Sequence, residues 1–271
     1  CAKGGREMSI NRREFLKRAG VITALGLGGA VTLDAFELLE PLKAADFTSE
    51  NKLAGKRWGL VIDMNKLTQA DINNIIAGCH EAHNVPDMGN PKDEIKWIWT
   101  DTYEHVFPGS ENHYLDEKTK TMPFLVLCNH CDHPPCVRVC PTQATFKRED
   151  GVVGMDMHRC IGCRFCMAAC PYGARSFNYW DPVPHIAKIN PDYPHRTKGV
   201  VEKCNFCMER LDEGLMPICV EKSNGAIVFG DLEDPNSEVR KLLSTHYSIR
   251  RKPELGTQPS IFYLIGGEDN A

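Results

Sequence analysis

Two runs of cysteine in the middle of the chain have a spacing that could hold an inorganic cofactor. The first run is Cys128-x2-Cys131-x4-Cys136-x3-Cys140-Pro141. The second run is Cys160-x2-Cys163-x2-Cys166-x3-Cys170-Pro171. Short loops of this kind wrap three thiolates around three corners of a [4Fe-4S] cube, and a cysteine from another segment supplies the fourth corner. The spacing therefore predicts iron–sulfur clusters.

Reciprocal pairing of the two runs predicts two clusters. Set A consists of Cys128, Cys131, Cys136 and Cys170. Set B consists of Cys160, Cys163, Cys166 and Cys140. A zinc or disulfide protein is the alternative from a different class. It is the weaker interpretation, because tetrahedral zinc sites use separated pairs of ligands and neighbouring cysteines in Cys-x2-Cys loops seldom form structural disulfides.

A third group of cysteines comprises Cys204, Cys207 and Cys219. Taken alone, this triad fits either zinc or an iron–sulfur cluster. Ser223 occupies the position where its downstream partner is expected, and Cys79 is the remaining internal cysteine. We therefore predict a third cluster on set C, which is Cys79, Cys204, Cys207 and Cys219.

The chain contains 13 cysteines, so three four-ligand clusters leave one over. Cys1 is expected to be this spare residue, because Met8 is a natural start and lies after it. We expect the histidines beside the ligands to pack around them or to hydrogen-bond to them, since enough cysteines are present to fill every corner. These histidines are His80, His83, His130 and His133.

The overall composition is that of a soluble globular protein of about two domains. The chain has 271 residues, 25% of which are charged, and its net charge is −4. A basic surface for nucleic acid is therefore not expected.

The N-terminal region has the form of a twin-arginine export signal. Arg12 and Arg13 precede an uncharged run from Ala19 to Leu33. We expect export to the periplasmic or extracytoplasmic face of the cytoplasmic membrane after cofactor insertion. The signal is compatible both with removal and with retention as a membrane anchor.

The remaining sequence predicts the elements that position the cysteines. Residues Trp58 to Asp63 are typical of a strand, and Gln69 to His83 of a helix whose apolar face includes Cys79. Alternating apolar residues predict a second strand over Ile95 to Trp99. Short strands and cysteine loops follow, a helix is expected to begin at Asp234 to Ser237, and the tail after Arg251 is expected to wrap the surface.

The cysteine pattern resembles the polyferredoxin subunits of membrane-associated redox complexes. This family includes the electron-transfer subunits of dimethyl sulfoxide, polysulfide and nitrite reductases and of formate dehydrogenase. The motifs CNHCDHPPC from Cys128, CIGCRFCMAACPYGAR from Cys160, FGDL from Phe229 and RRKPELGT from Arg250 are most similar to the exported iron–sulfur subunit of complexes linked to dissimilatory sulfite reduction.

The resemblance implies an α+β fold with two pseudo-symmetric ferredoxin-like domains, one inserted in the other. Members typically bind four clusters. Here Leu67, Ala70, Asn73 and Ser223, or near neighbours, stand where the four ligands of one cluster would fall, so one site is deleted and three remain. The implied division begins with a signal or anchor in 1–45 and the first half of the outer domain plus an insertion in 46–125. The inner domain with two clusters follows in 126–180, the second half of the outer domain with the third cluster in 181–235, and a C-terminal wrap in 236–271.

The resemblance also implies a role and partners. The expected function is electron transfer without catalysis, between redox partners of a membrane-bound, quinone-linked complex of sulfite or sulfate respiration. The expected partners are a quinone-interacting integral membrane subunit, a multihaem cytochrome c subunit and other redox subunits. An equivalent subunit of a hydrogenase, a formate dehydrogenase or a sulfur-compound reductase is the alternative. Five basic residues are candidates for tuning the cluster potentials, although most are expected to be solvated: Arg138, Arg159, Arg164, Arg175 and Lys203.

Overall fold

The computed structural model describes residues 52–110 and 112–266. Short helices and strands alternate along this part of the chain. In order they are β1 (Trp58–Asp63), α1 (Gln69–Ala82), β2 (Ile98–Asp101), α2 (Tyr103–Val106), α3 (Glu117–Thr121), β3 (Phe124–Leu127), α4 (Pro135–Arg138), β4 (Thr145–Lys147), β5 (Val153–Met155), α5 (Phe165–Ala169), β6 (Ser176–Phe177), β7 (Val201–Glu202), α6 (Met208–Asp212), α7 (Ile218–Glu221), β8 (Ile227–Asp231), α8 (Glu238–Thr245), β9 (Ser248–Ile249) and β10 (Ile261–Leu264).

The largest sheet has four strands in the order β8, β1, β10, β9. β1 pairs antiparallel with β8 and parallel with β10, and β10 pairs antiparallel with β9. β1 is apolar along almost its whole length, as predicted, because it lies between two strands and is covered on both faces. β1 and β8 are neighbours in the sheet but far apart in sequence. The cysteine-rich middle of the chain lies between them in sequence, so it begins and ends at one pair of strands.

Helix α1 follows β1 and presents one apolar face to the core. Thr68 caps its N-terminus in a capping box with Asp71. Ile72, Ile75 and Cys79 are buried at helical spacing, which confirms the predicted helix and the placement of Cys79 on its apolar face.

The other described strands form three antiparallel pairs: β2 with β3, β4 with β5 and β6 with β7. The second predicted strand begins later than expected, at Ile98. Trp97, Ile98 and Trp99 are all buried. The alternation of apolar and polar residues therefore did not mark the start of the strand correctly, because both faces of this segment are covered.

The C-terminal part is built more deeply into the fold than its composition suggested. Ser237 caps α8, in agreement with the predicted helix start. Beyond α8, β10 lies between β1 and β9, and the segment before β10 buries Thr257 and Ser260. The tail thus supplies a central strand in addition to any surface wrap.

The predicted twin-arginine segment lies outside the described residues. Within the part of the chain that is described, no helix has the length and apolar character needed to cross a bilayer.

Candidate functional site

The three Cys-x2-Cys loops share one backbone feature. The residue immediately before the second cysteine has a positive φ in each loop: His130 at 40°, Gly162 at 70° and Phe206 at 57°. This conformation is unfavourable for residues other than glycine, so its repetition at equivalent positions shows that the loops are built to one pattern. At Gly162 a side chain is excluded, because a Cβ there would overlap the carbonyl oxygen of Gly199.

The third cysteine of each group lies on a short helix. Cys136, Cys166 and Cys219 are each the second residue of α4, α5 and α7, and all three are buried. In the first two groups the short helix comes soon after the loop, whereas in the third group α6 lies between the loop and α7. The third cysteine of each group therefore has the same local setting.

The four cysteines of set A converge on one enclosed cavity. All four line it together with Val153, Tyr172 and Arg175. Burial raises the pKa of the Cys131 thiol to about 12, and the neighbouring thiolates of Cys128, Cys136 and Cys170 add to this effect. Burial thus opposes ionisation of the Cys131 thiol, and a positive charge placed among the four sulfurs would favour its thiolate form.

Set C also converges, from two distant parts of the sequence. Burial raises the pKa of the Cys79 thiol well above its ordinary value, and the thiolates of Cys204 and Cys219 raise it further. The pKa of Cys207 is raised in the same way by burial, then by Cys219, Cys79 and Cys204. The helix α1 thus places Cys79 near Cys204 and Cys219, and its role as a ligand stays a prediction.

Set B lies nearer the surface than the other two sets. Burial raises the pKa of Cys166, and the thiolates of Cys136 and Cys160 also raise it. Cys140 Sγ accepts the backbone N–H of Thr145 at 3.5 Å. Cys163 is the one exposed cysteine of the twelve that the structure describes.

Neighbouring sets lie close to one another in a definite order. The thiolate of Cys136 in set A raises the pKa of Cys166 in set B. The thiolate of Cys128, also in set A, raises the pKa of Cys204 in set C. Set A therefore lies between sets B and C.

Two of the five predicted tuning residues are buried at these junctions. Arg175 donates from Nη1 to Thr145 Oγ1 at 3.1 Å, and its Nη2 is buried without a hydrogen-bond partner. Lys203 donates from Nζ to the carbonyl oxygens of Val153 and Cys204. Neither forms an ion pair with a carboxylate in the described part of the chain, so both suit an anionic neighbour. Arg138, Arg159 and Arg164 are exposed, as expected for solvated charges.

Three of the four histidines beside the ligands form hydrogen bonds, and the fourth, His80, has a buried Nε2 without a partner among the described residues. His83 stacks on Trp97 with ring centroids 4.6 Å apart, and its two ring nitrogens lie 2.8 Å from Cys79 O and 2.9 Å from Glu209 Oε1. His130 is buried, and burial lowers its pKa well below the ordinary value. His133 is exposed.

One group of mixed ligands suggests a different metal site. Atoms of His83, Cys207 and Glu209 lie within 4.8 Å of one another, the one such group of three among the described residues. Because Cys207 also belongs to set C, this group and a cluster on set C would compete for the same sulfur.

The positions of the deleted site lie in neighbouring segments, since Asn224 Nδ2 donates to Asp71 Oδ1 at 2.6 Å, but they carry no ligand side chains. Ala70 and Asn73 are exposed on α1, and Leu67 precedes the capping residue. Ser223 is buried and donates from Oγ to Val220 O at 2.7 Å while accepting the N–H of Ile227 at 3.0 Å. A regular helix and a local turn thus replace the fourth set of ligands.

Sequence reasoning missed the segment that covers set A. Thr257 hydrogen-bonds to the Tyr172 hydroxyl and to the Cys131 thiol. The N–H groups of Asp132 and His133 donate to Gln258 O and Thr257 O, both at 3.0 Å. The only signal was the resemblance of the motif from Arg250 to Thr257, which carried no assigned role.

Several known proteins are similar to this chain over most of its length. Residues 120–232 match the 4Fe-4S dicluster domain. The Hdr-like menaquinol oxidoreductase iron-sulfur subunit 1 of Archaeoglobus fulgidus is 38% identical, over 96% of this chain and 100% of the relative. A tetrathionate reductase subunit of Salmonella typhimurium is 36% identical, over 98% of this chain and 92% of the relative. A polysulfide reductase subunit of Wolinella succinogenes is 33% identical, over 77% of this chain and 94% of the relative. The chain therefore belongs to the family of iron–sulfur electron-transfer subunits that carry a 4Fe-4S dicluster domain.

Proposed function

We propose that this protein relays single electrons through three [4Fe-4S] clusters and performs no substrate chemistry of its own. The observation that carries this proposal is the convergence of set A on an enclosed cavity beside the unpartnered Nη2 of Arg175. Thiolates with raised pKa values and a buried guanidinium without a carboxylate are the surroundings that an anionic, iron-containing cube would satisfy.

The proposed ligands are sets A, B and C, with one cluster on each set. Bound clusters would accept and release single electrons at little structural cost. The chain's own part is to fix the sulfurs, to keep water from sets A and C, and to hold the three sets in the order B, A, C. The buried cations Arg175 and Lys203 lie near set A on its B and C sides respectively, where they offset the repulsion between neighbouring anionic clusters.

The spacing of the sulfurs favours cubes over single zinc ions. Tetrahedral zinc with Zn–S bonds of about 2.3 Å requires sulfurs about 3.8 Å apart. In the described residues, no three cysteine sulfurs fall within 4.8 Å of one another. Among these residues, therefore, no set has three sulfurs at the spacing of a tetrahedral zinc site.

The pairing of β1 with β8 around the middle of the chain supports an inner ferredoxin-like domain inserted in an outer one. In this division sets A and B belong to the inner domain, near 126–180, and set C to the outer domain in 46–125 and 181–235. The similar loops around His130, Gly162 and Phe206 support a pseudo-symmetric origin.

The exposed Cys163 makes set B the terminal site through which electrons reach or leave a partner. We propose a quinone-interacting integral membrane subunit, a multihaem cytochrome c and further redox subunits as the partners. The names of relatives such as a menaquinol oxidoreductase subunit and a menaquinone reductase subunit support the quinone link.

The proposed location is the extracytoplasmic face of the membrane, reached by the twin-arginine route, with the signal removed or kept as an anchor. Arg12 and Arg13 support this route. The proposed process is sulfite or sulfate respiration, and the alternative is a sulfur-compound reductase, a hydrogenase or a formate dehydrogenase. Tetrathionate and polysulfide reductase subunits among the relatives favour sulfur chemistry in general. Identification of the proteins that copurify with this subunit separates these complexes.

The experiment that tests the ligand sets is the replacement of Cys79 by Ala in the full chain. We expect set C alone to lose its cube or to retain a three-iron species, while the clusters on sets A and B keep their EPR signals. Cys1→Ala is the matched control and should leave all three signals intact. An unchanged set of signals in Cys79→Ala would overturn the assignment of Cys79.

A reductive titration tests the relay itself. The anaerobically purified protein should take up about three electrons per chain, one for each cube. Uptake of fewer than three electrons would contradict the three-cluster relay.

A further inference from the structure

His130 belongs to the loop of set A but points to a sulfur of set C. It lies between Cys128 and Cys131, and its side chain is buried, with 1% of the residue exposed. Its Nε2 is 3.9 Å from Cys204 Sγ. The imidazole therefore spans the junction between two ligand sets.

The hydrogen bond at the other ring nitrogen determines where the proton lies. The backbone N–H of Val153 donates to His130 Nδ1 at 3.0 Å. A nitrogen that accepts a hydrogen bond carries no proton, so the proton of the neutral ring is on Nε2. Nε2 can then donate towards Cys204, whose Sγ lies 3.9 Å away.

The ring is held in this position by packing. It stacks face to face on Phe206, with centroids 3.5 Å apart and planes inclined by 12°. Lys203 donates to the carbonyl oxygens of Val153 and Cys204, which fixes the two backbone segments that the imidazole joins. The donor is thus preorganised.

We propose that His130 donates an Nε2–H···Sγ hydrogen bond to Cys204 and thereby raises the reduction potential of the cluster on set C. This inference rests on the proposed function, because it takes Cys204 as a cluster ligand. A donor aimed at a ligand sulfur stabilises negative charge, and it does so more in the reduced cluster, which carries one more electron. His130 is therefore a positioning residue through which the loop of set A tunes set C.

The test is a potentiometric EPR titration of the anaerobically purified full chain, with His130→Phe compared with the original protein. Phe keeps the stacked ring and removes both nitrogens. We expect the equilibrium constant for one-electron reduction of the set C cluster to fall about tenfold, a shift of about 59 mV to lower potential. His133→Phe is the matched control from the same loop, since His133 is exposed, and it should leave the potential unchanged.

A spectroscopic readout separates tuning from a general structural role. His83 Nδ1 also lies 3.7 Å from Cys79 Sγ, so with 15N-labelled histidine, pulsed EPR of the reduced set C cluster should detect couplings from two histidines. The coupling from His130, together with its exchangeable proton, should disappear in His130→Phe, while that from His83 stays. Retention of every histidine coupling together with an unchanged potential would overturn the proposal.

A second variant is needed because His130→Phe leaves the Val153 N–H without its acceptor and its fall in potential would then have two explanations. His130→Asn keeps a side-chain oxygen near the position of Nδ1 and tolerates positive φ, but it is too short to reach Cys204. We expect the same fall in potential, and a potential equal to that of the original protein would overturn the inference. If the original protein shows no EPR signal from a cluster on set C, the proposed function is contradicted instead.

Discussion

The ring of His130 lies flat against the ring of Phe206, with centroids 3.5 Å apart. These residues occupy the same place in two different loops, since each immediately precedes the second cysteine of a Cys-x2-Cys pair and each has positive φ. Phe206 also packs edge-on against Phe229 of the central sheet. The stack therefore connects the loops of sets A and C and fixes both to the core. Preorganised spacing of this kind suits a relay, because electron transfer depends on a constant separation between redox sites.

A Gly162→Ala substitution should remove the cluster on set B selectively. The added Cβ would overlap Gly199 O, and φ is 70° at this position. Iron content should fall from about 12 to about 8 per chain, because each cube holds four iron atoms. Gly173→Ala is the matched control: φ is 65° there, but a Cβ would meet no atom within 4 Å. Full iron content in Gly162→Ala would contradict the assigned loop geometry.

Replacing Arg175 with Met should lower the potential of the cluster on set A. The guanidinium lines the set A cavity, and its pKa is raised, against the effect of burial, by the thiolates of Cys136, Cys166 and Cys128. Loss of a buried cation disfavours the more negative reduced state, so we expect a shift of at least about 59 mV, which is tenfold in the reduction equilibrium. An EPR-monitored redox titration measures it. Arg159→Met, on an exposed arginine, should shift nothing, and equal effects of the two variants would contradict the role of Arg175.

Asp231 makes a pH-dependent contribution to the central sheet. Burial alone would raise its pKa, but the backbone N–H groups of Lys56, Glu233 and Arg57 outweigh this effect and lower the pKa. The carboxylate accepts these three bonds at 2.9 to 3.0 Å. Because the pKa is lower in the folded state, the stabilisation is present above the ordinary pKa and is lost as the pH falls through the folded value.

We therefore expect Asp231→Asn to lower the free energy of unfolding by about 1 to 2 kcal/mol near pH 7 and to have less effect below about pH 4. Anaerobic urea unfolding followed by tryptophan fluorescence provides the comparison. A difference between the two proteins that stays constant from pH 7 to pH 3 would show that the carboxylate's charge is not involved.

Restoring a cysteine at Ser223 should not restore a fourth cluster. Ala70 and Asn73 lie exposed on the regular helix α1, and Ser223 satisfies its own hydrogen bonds in a local turn. Ser223→Cys is expected to keep the iron content of the original protein, and so is the combination with Leu67→Cys, Ala70→Cys and Asn73→Cys. A rise of about four iron atoms per chain in the combined variant would show that the backbone can still hold a cluster and that only the ligands are missing.

The proximity of the cysteines within set A and within set C could be predicted from sequence, because cluster loops encode their geometry in local spacing. The convergence of set A and of set C follows those predictions, and α1 places Cys79 as its apolar periodicity indicated. The assignment of cysteines to individual clusters stays a prediction.

Other features could not be predicted because they depend on contacts between distant segments. The central position of β10 requires pairing with β1, and nothing in the tail's Pro- and Gly-rich composition indicates it. Likewise the bond between Thr257 and Tyr172, and the burial of Arg175 but not Arg159, result from tertiary packing. The strand near Trp97 begins later than its sequence indicates because a segment buried on both faces has no reliable alternation.

Metal and sulfide analysis of the anaerobically purified full chain, combined with Mössbauer spectroscopy, counts the clusters independently of any single ligand. Three cubes predict about 12 iron atoms and about 12 inorganic sulfides per chain, all in [4Fe-4S] form. About eight iron atoms per chain, or zinc with little iron, would rule out three [4Fe-4S] clusters.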